Sequence, residues 1–356
     1  MKKIIFTGGG TGGHIMPNLA IMQNLKGKYQ IEYIGGKNGM ERDIVANKYP
    51  FFGITTCKLK RSLSASNLLI PFKLLKGYYE AKKILKTQKP NLVFSKGGYV
   101  AVPVVFACKA LKIPVVCHES DYSMGLANKL TAKKCKIVCT SFADTANSIK
   151  NGVYTGSPVR DDIFNGKVDN AKKCLFLKPN LPNLLVVGGS LGSQTINSIM
   201  LKNAKQITQK FNVIHIAGKN NDIKCKISNY NILPYVQNIQ DYYALSNFVV
   251  TRGGSNVLFE LLALKKPMII IPLEKGSRGD QVLNAKIFVR EGLALSATES
   301  ELLEQDTLIL KKLEQLERQK TNLVKNMEHK NLVGNQKIIQ QIEKFLTWNP
   351  TALLKK

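Results

Sequence analysis

Lys3-Ile4-Ile5-Phe6-Thr7-Gly8-Gly9-Gly10-Thr11-Gly12-Gly13-His14 opens the chain. Lys3 to Phe6 reads as a short buried strand. Gly8 to Gly13 reads as a glycine turn interrupted only by Thr11, and the apolar segment after His14 as a helix. Strand, glycine turn and helix in that order present backbone N–H groups and the positive end of a helix dipole to a phosphate. The arrangement returns in the second half, where Leu184-Leu185-Val186-Val187 runs into Gly188-Gly189-Ser190-Leu191-Gly192-Ser193 and another helical pattern.

A second pair of segments aligns without gaps. Asn91-Leu92-Val93-Phe94-Ser95-Lys96-Gly97-Gly98 matches Asn247-Phe248-Val249-Val250-Thr251-Arg252-Gly253-Gly254. Each is followed by a helical run, a Lys and Pro stop, and a further buried strand, Pro114 to Cys117 or Pro267 to Ile271. Whether this marks a duplication or only a shared architecture, the fold class is the same: α/β, with two Rossmann-like domains built on parallel sheets. Strands are expected near 3–7, 31–35, 52–57, 91–95, 114–118, 136–140 and 153–156, then near 184–188, 213–217, 231–233, 247–251, 268–272 and 293–296. Helices are expected between them, near 16–26, 40–48, 66–87, 100–111, 125–133 and 143–149 in the first half. Residues 165–183 read as a polar linker, 299–328 as a long charged helical stretch, and 335–347 as a last amphipathic helix. The domains are expected at 1–160 and 161–334, with the terminal segment, about 335–356, packing back on the first.

A chain of 356 residues with 44% apolar content exceeds one ordinary core. No window approaches the roughly 18 apolar residues that span a bilayer, and glycines end the first apolar run before it can serve as a signal peptide. The seven scattered cysteines form no C-x-x-C pair and are expected as reduced thiols. The net charge is +28, and 52 residues are Lys or Arg. Such a charge draws the chain to an anionic membrane or a polyphosphate ligand, or reflects only a Lys-rich composition. No nucleic-acid motif accompanies it.

The glycines at 8, 10 and 13 fit the dinucleotide fingerprint. That fingerprint also wants an acid ending the second strand, which here ends Ile34-Gly35-Gly36, so a dehydrogenase loses ground. His14 stands in the first turn of a helix, where the dipole favours neutral imidazole. The position suits a general base; it also suits a capping or packing histidine. Gly188 to Ser193 offers Ser190 and a helix start, fit to bind a diphosphate. Glu260, in the second turn after Arg252-Gly253-Gly254-Ser255-Asn256, can accept both hydroxyls of a ribose, or simply face solvent. His118-Glu119-Ser120-Asp121, Gly156-Ser157-Pro158-Val159-Arg160 and Arg278-Gly279-Asp280-Gln281 follow expected strands, where open α/β sheets bind ligands. No Asp-x-Asp and no His/Cys cluster at ligand spacing occurs, so neither a metal nor a cofactor is expected. In 58–83, leucines and aromatics outnumber one helix face and alternate with lysines. Leu68, Leu69, Ile70, Phe72, Leu75, Lys73 and Lys76 are expected to meet an anionic bilayer surface; the alternative is an ordinary buried helix with a lysine rim.

Seven motifs, Gly8 to His14, Lys96 to Tyr99, His118 to Asp121, Gly156 to Arg160, Gly188 to Gly192, Arg252 to Asn256 and Arg278 to Gln281, stand in an order that resembles the MurG family of peptidoglycan N-acetylglucosaminyltransferases. The likeness runs nearly end to end and implies a GT-B fold, with the two sheets facing across a cleft. It implies transfer of N-acetylglucosamine from UDP-N-acetylglucosamine to the C4 hydroxyl of undecaprenyl-linked lipid I, giving lipid II and UDP with inversion. That places the protein on the cytoplasmic side of the cell membrane, peripherally, with no nucleic-acid partner. By motif position, Thr11, Gly12, Gly13, Arg160, Ser190, Val236, Glu260 and Gln281 would serve the donor, with Glu260 at the ribose and the backbone near Val236 at uracil. Gly9, Gly10, Gly97, Gly98, Tyr99 and Glu119 would serve the acceptor and its pyrophosphate. His14 matches the base candidate, and Asp121, where many relatives carry asparagine, is its rival.

Overall fold

Asn91 and Asn247, the first residues of the two matching segments, do the same structural work. The Asn91 Oδ1 accepts the Lys3 N–H at 2.8 Å, and the Asn247 Oδ1 accepts the Asn183 N–H at 2.8 Å. Each thus ties the start of a fourth strand to the start of a first. A few residues later, Lys112 and Lys265 both end a helix with positive φ, 58° and 54°, two residues before Pro114 and Pro267. Proline cannot continue the helix, and the left-handed residue ahead of it turns the chain into the next strand.

The computed structural model describes residues 1–57, 70–189, 191–219, 221–275, 278–330 and 332–347. The chain divides into two units. The first is Met1–Arg160, to which the chain returns from Val333 onward; the second is Asp161–Leu332.

Among the described residues, the first unit carries strands β1 (Lys3–Thr7), β2 (Gln30–Gly36), β3 (Phe51–Ile54), β4 (Leu92–Ser95), β5 (Val115–Glu119), β6 (Ile137–Thr140) and β7 (Gly152–Tyr154). They form one parallel sheet in the order β3-β2-β1-β4-β5-β6-β7. Buried on both faces by crossover helices, these strands read as apolar runs rather than alternations. The second unit carries β8 (Asn183–Val187), β9 (Asn212–Ile216), β10 (Tyr230–Leu233), β11 (Phe248–Thr251), β12 (Met268–Ile270) and β13 (Leu295–Ser296), parallel in the order β10-β9-β8-β11-β12-β13. In both sheets the strand order reverses direction between the first and fourth strands. Loops leaving a sheet at such a point diverge and leave a crevice at the carboxyl ends. The four glycine motifs of the sequence stand there: Gly8–Gly13 after β1, Gly97–Gly98 after β4, Gly188–Ser193 after β8 and Gly253–Gly254 after β11.

The helix Asn335–Thr347 belongs to the first unit. Its Ile338, Ile339, Ile342 and Leu346 pack with Ile15, Ile21, Met22 and Leu25. Each such burial is worth about 1.5–3 kcal/mol. The helix start is clamped to the first unit's exit strand. Asn335 accepts from the Val159 N–H at 2.8 Å and donates to the Val159 carbonyl at 2.7 Å, and the Gly334 N–H donates to Ser157 at 2.7 Å.

Three boundaries differ from the sequence reading. The first helix starts at Gly12, four residues earlier than expected, which makes Pro17 its sixth residue, where the ring removes one i→i−4 hydrogen bond. The polar linker contains a short helix, Val168–Lys172, next to a backbone anchor from Lys167 to Asp241 at 2.7 Å. The charged stretch 299–328 is two helices, Glu299–Glu304 and Leu308–Glu328. None of the seven cysteines is in a disulfide; Cys108, Cys117, Cys135 and Cys139 are buried and Cys174 is exposed.

Candidate active site

Thr11 is the N-cap of the helix Gly12–Leu25, with extended backbone and no side-chain cap. No acidic residue stands in the first turn, so the positive dipole end is uncompensated by the helix itself. His14 lies in that turn. Its Nδ1 is 2.9 Å from the Thr11 Oγ1, and its N–H bonds the Thr11 carbonyl at 3.1 Å. The ring lies over Gly98: a Cβ there would stand 3.2 Å from the His14 Nδ1 and would overlap the Gly9 carbonyl oxygen. Gly98 has φ 79°, so both its conformation and its lack of side chain let the two loops touch. Tyr99 leaves no room for a side chain at Gly10. Burial raises the pKa of Tyr99, with Glu41 adding to it. Beneath the turn the Tyr33 hydroxyl donates to the Gly8 carbonyl at 2.7 Å and receives Asn18 at 3.0 Å.

Lys96, between β4 and Gly97, is 2% exposed. Its Nζ donates to the Ser120 Oγ at the end of β5. Burial lowers its pKa, against the pull of Glu119 and Asp121. Neighbouring His118 is pushed well below the usual imidazole range by burial and by Lys96, and its Nε2 is 3.0 Å from the Gly156 carbonyl. Glu119 is spent on its own loop: it accepts the N–H of Asp121 at 3.1 Å, that of Gly125 at 2.9 Å and the Asn128 amide at 2.9 Å. Asp121 is half-buried beside this group, and Arg160 is half-buried where the first unit ends.

In the second unit, Ser193 caps the helix Gln194–Lys202 by accepting the Ile196 N–H at 3.2 Å, and again no acid stands in the first turn. The Asn197 side chain holds the Ala217 carbonyl at 3.1 Å and meets the buried His215 at 2.9 Å. Burial brings His215 down to about 4. Arg252 donates to the Ser193 Oγ at 2.6 Å, to Glu299 at 2.8 Å and to the Ile271 carbonyl at 3.2 Å. Burial pushes the pKa of Glu299 up, but hydrogen bonds from Arg252 and Thr195 outweigh it and hold the carboxyl below its usual range. The Gln281 Oε1 takes two backbone N–H groups, Gly253 at 3.2 Å and Leu273 at 3.0 Å. Its orientation is therefore fixed with the amide nitrogen turned away from both. Glu260 is half-buried and receives the Tyr243 hydroxyl at 3.4 Å. Val236 follows β10, half-exposed. Ser190 lies outside the described residues. Among the described residues no group of three or more His, Cys, Asp and Glu is placed to hold a metal ion.

Two helix starts free of acidic residues in the first turn, each at a switch point, suit binding of phosphate-bearing ligands. The comparisons with known proteins agree. The glycosyltransferase family 28 N-terminal domain matches residues 4–140, and the family's C-terminal domain matches residues 183–342. The UDP-N-acetylglucosamine–N-acetylmuramyl-(pentapeptide) pyrophosphoryl-undecaprenol N-acetylglucosamine transferase of Clostridium tetani is 44% identical, over 97% of this chain and 99% of that protein. Its namesake from Clostridium botulinum strain Langeland is 45% identical, over 98% and 100%. The chain belongs to the MurG family of glycosyltransferases. The crystal structure of Acinetobacter baumannii MurG shares the fold with a TM-score of 0.76 at 23% identity, over 97% of this chain and 100% of that one. A Neisseria meningitidis UDP-GlcNAc 2-epimerase shares it with a TM-score of 0.68 at 16% identity, over 98% and 100%. The GT-B architecture is thus common to MurG and to enzymes of other activity.

Against the expectation from its leucine and lysine pattern, the lysine-rich stretch divides in two. Leu68 and Leu69 lie outside the described residues. In the helix Ile70–Gln88, Ile70 is buried together with Gly77, Ala81 and Leu85, which corrects its expected membrane contact: it sits on the face that packs inward. Phe72, Leu75 and Tyr79, at spacings of three and four, are exposed at 71%, 53% and 60%. Lys73 and Lys76 are exposed beside them. Phe106, Leu126 and Leu130 are exposed on nearby helices of the same unit, and the Lys134 Nζ sits 4.3 Å over the Phe106 ring. These three were not foreseen, because each sits in a run that reads as ordinary core. No described helix is long and apolar enough to cross a membrane.

Glu41 was also missed. It is fully buried at the start of the helix Met40–Val45 and bonds both the Gly10 and Gly36 N–H groups, at 3.2 and 2.8 Å. The crowding of Gly35, Gly36 and Gly39 just ahead of it was the available signal.

Proposed function

We propose that the chain transfers N-acetylglucosamine from UDP-N-acetylglucosamine to the C4 hydroxyl of the muramoyl unit of lipid I. The products are lipid II, with a β-1,4 bond formed by inversion, and UDP. The observation that carries this is near-full-length identity to curated transferases of that name, joined to an uncompensated, histidine-bearing helix start at the first unit's switch point.

The second unit holds the donor. Glu260 accepts the ribose hydroxyls, the backbone at Val236 meets uracil, and the amide nitrogen of Gln281 donates to sugar hydroxyls. The helix start after Ser193, with Ser190, takes charge that develops on the departing diphosphate, and Arg160 is a further candidate for the donor. The first unit holds the acceptor, with Gly9, Gly97, Gly98 and Tyr99 at its pyrophosphate side and Thr11, Gly12 and Gly13 at the transferred sugar. With the Nδ1–H of His14 donating to Thr11, the Nε2 takes the proton of the C4 hydroxyl as that oxygen attacks the anomeric carbon. Asp121 is the rival base. Glu119 serves by holding the loop that carries it. The exposed Phe72, Leu75 and Tyr79, rimmed by lysines, support docking on the anionic cytoplasmic face of the membrane, where the lipid acceptor resides.

Incubation with UDP-N-acetylglucosamine and a lipid I analogue, with and without a chelator, tests the reading. UDP release matched by a β-1,4-linked disaccharide product is expected. Epimerised sugar nucleotide, glycosylated diacylglycerol, or nucleotide binding without transfer would overturn it.

A further inference from the structure

Glu41 is a carboxylate at 0% exposure with no cation bonded to it among the described residues. Its two oxygens are divided between two glycine turns. Oε1 accepts the N–H of Gly36, the last residue of β2, at 2.8 Å, and Oε2 accepts the Gly10 N–H after β1 at 3.2 Å. Side chains are excluded all around it. A Cβ on Gly9 would stand 2.5 Å from the Glu41 Cδ, one on Gly36 2.9 Å from Oε1, and one on Gly39 would overlap the carboxylate.

The consequence falls on one peptide bond. The N–H of the Gly9–Gly10 peptide points inward to Glu41, and its carbonyl points to Gly98. The Gly10 amide is thereby spent inside the protein and withdrawn from any ligand, which corrects its expected place among the pyrophosphate contacts. The same Gly98 carries the His14 ring. Glu41, the Gly9–Gly10 peptide, Gly98 and His14 thus form one chain of contacts.

We propose that Glu41 is a positioning residue that sets the His14 ring by locking the Gly9–Gly10 peptide. The proposal rests on the reading of His14 as the base. A glutamine at 41 keeps the shape but replaces one acceptor oxygen with a donor. One of the two glycine N–H groups then faces another N–H, and the peptide is free to turn. Gly39→Ala provides a second route. Gly39 has an ordinary φ of −87°, so the added methyl strains no backbone and acts by pushing the carboxylate.

Full-length wild type, E41Q, G39A, H14A and the E41Q/H14A double variant are compared in turnover, and the imidazole resonances of His14 are followed by NMR. Displacement of a reacting group by about 1 Å costs on the order of 100-fold. E41Q and G39A are therefore expected to lower kcat at least about tenfold, with the KM for UDP-N-acetylglucosamine within about threefold. E41Q should add less than about twofold in the H14A background, because the two act through one group. The His14 resonances should move in both E41Q and G39A. Unchanged kcat in E41Q, or an equal loss in the H14A background, would overturn the proposal. If H14A itself turns over normally, the general-base reading falls instead. The NMR signals then decide alone: moved resonances support the role of Glu41, and unmoved ones end it.

Discussion

Lys96 and Arg252 occupy the same place in the two sheets, at the end of the fourth strand, just before a pair of glycines at a switch point. They are used differently. Lys96 is sealed under its loop, bonded to Ser120 and set against Glu119 and Asp121. Arg252 forks onto Ser193, Glu299 and a strand carbonyl. A guanidinium offers five fixed donors and remains charged; an ammonium is a compact charge that burial can depress. The second unit therefore uses its cation to pin the cap of the helix Gln194–Lys202. The first unit buries its cation beneath the Gly97–Gly98 loop. The first helix start carries His14 and an open cap at Thr11, and the second carries a closed serine cap. Under the proposed function, the first switch point serves proton transfer and the second holds the nucleotide.

The sharpest break between the units is expected from His14→Ala. General-base catalysis contributes about 10²–10⁴-fold, so kcat should fall by that range while UDP affinity, measured by calorimetry, stays within about threefold. Glu260→Ala should do the reverse. Loss of charge-assisted bonds to a ribose, worth about 1.5–3 kcal/mol each, should raise the KM for UDP-N-acetylglucosamine at least about tenfold and leave kcat nearly intact.

Substitution of the paired cations compares them directly. Arg252→Met strands Glu299 and removes the donor that pins the Ser193 hydroxyl, and should cost about 1–3 kcal/mol in denaturant unfolding. Lys96→Met removes a buried charge. The depressed pKa of Lys96 means the unfolded chain binds its proton more readily, so wild-type stability should rise as pH climbs toward the ordinary lysine value. That slope should flatten in K96M. The smallest effect concerns His215, which titrates at about 4 when folded and near 6.5 when unfolded. The unfolded state binds the extra proton between those values. Stability of the second unit should fall with acidification across that window, by at most about 1.4 kcal/mol per pH unit. His215→Gln should remove the fall.

Most of this architecture was legible because the information is local. Asn91 and Asn247, the Lys and Pro stops, and the glycines after β1, β4, β8 and β11 each follow from backbone needs that few residues meet. The site was legible only in part. The second strand ends at Gly36 without an acid, and the carboxylate that matters, Glu41, comes five residues later and turns inward. Nothing in Gly39-Met40-Glu41-Arg42-Asp43 says which of two acids will be buried. Lys96 reads as a surface lysine until β5 brings Ser120 over it. Phe106, Leu126 and Leu130 read as core because apolar pattern does not reveal which face lacks a partner. Long-range contacts decided these cases, and periodicity does not report them.

The division of labour is tested most directly by amide hydrogen exchange of the full-length protein with and without UDP. Protection is predicted in the segments 188–197, 234–238 and 252–260, with 8–14 and 96–99 unchanged. Protection confined to 8–14 and 96–99 would place the nucleotide on the first unit and contradict the account.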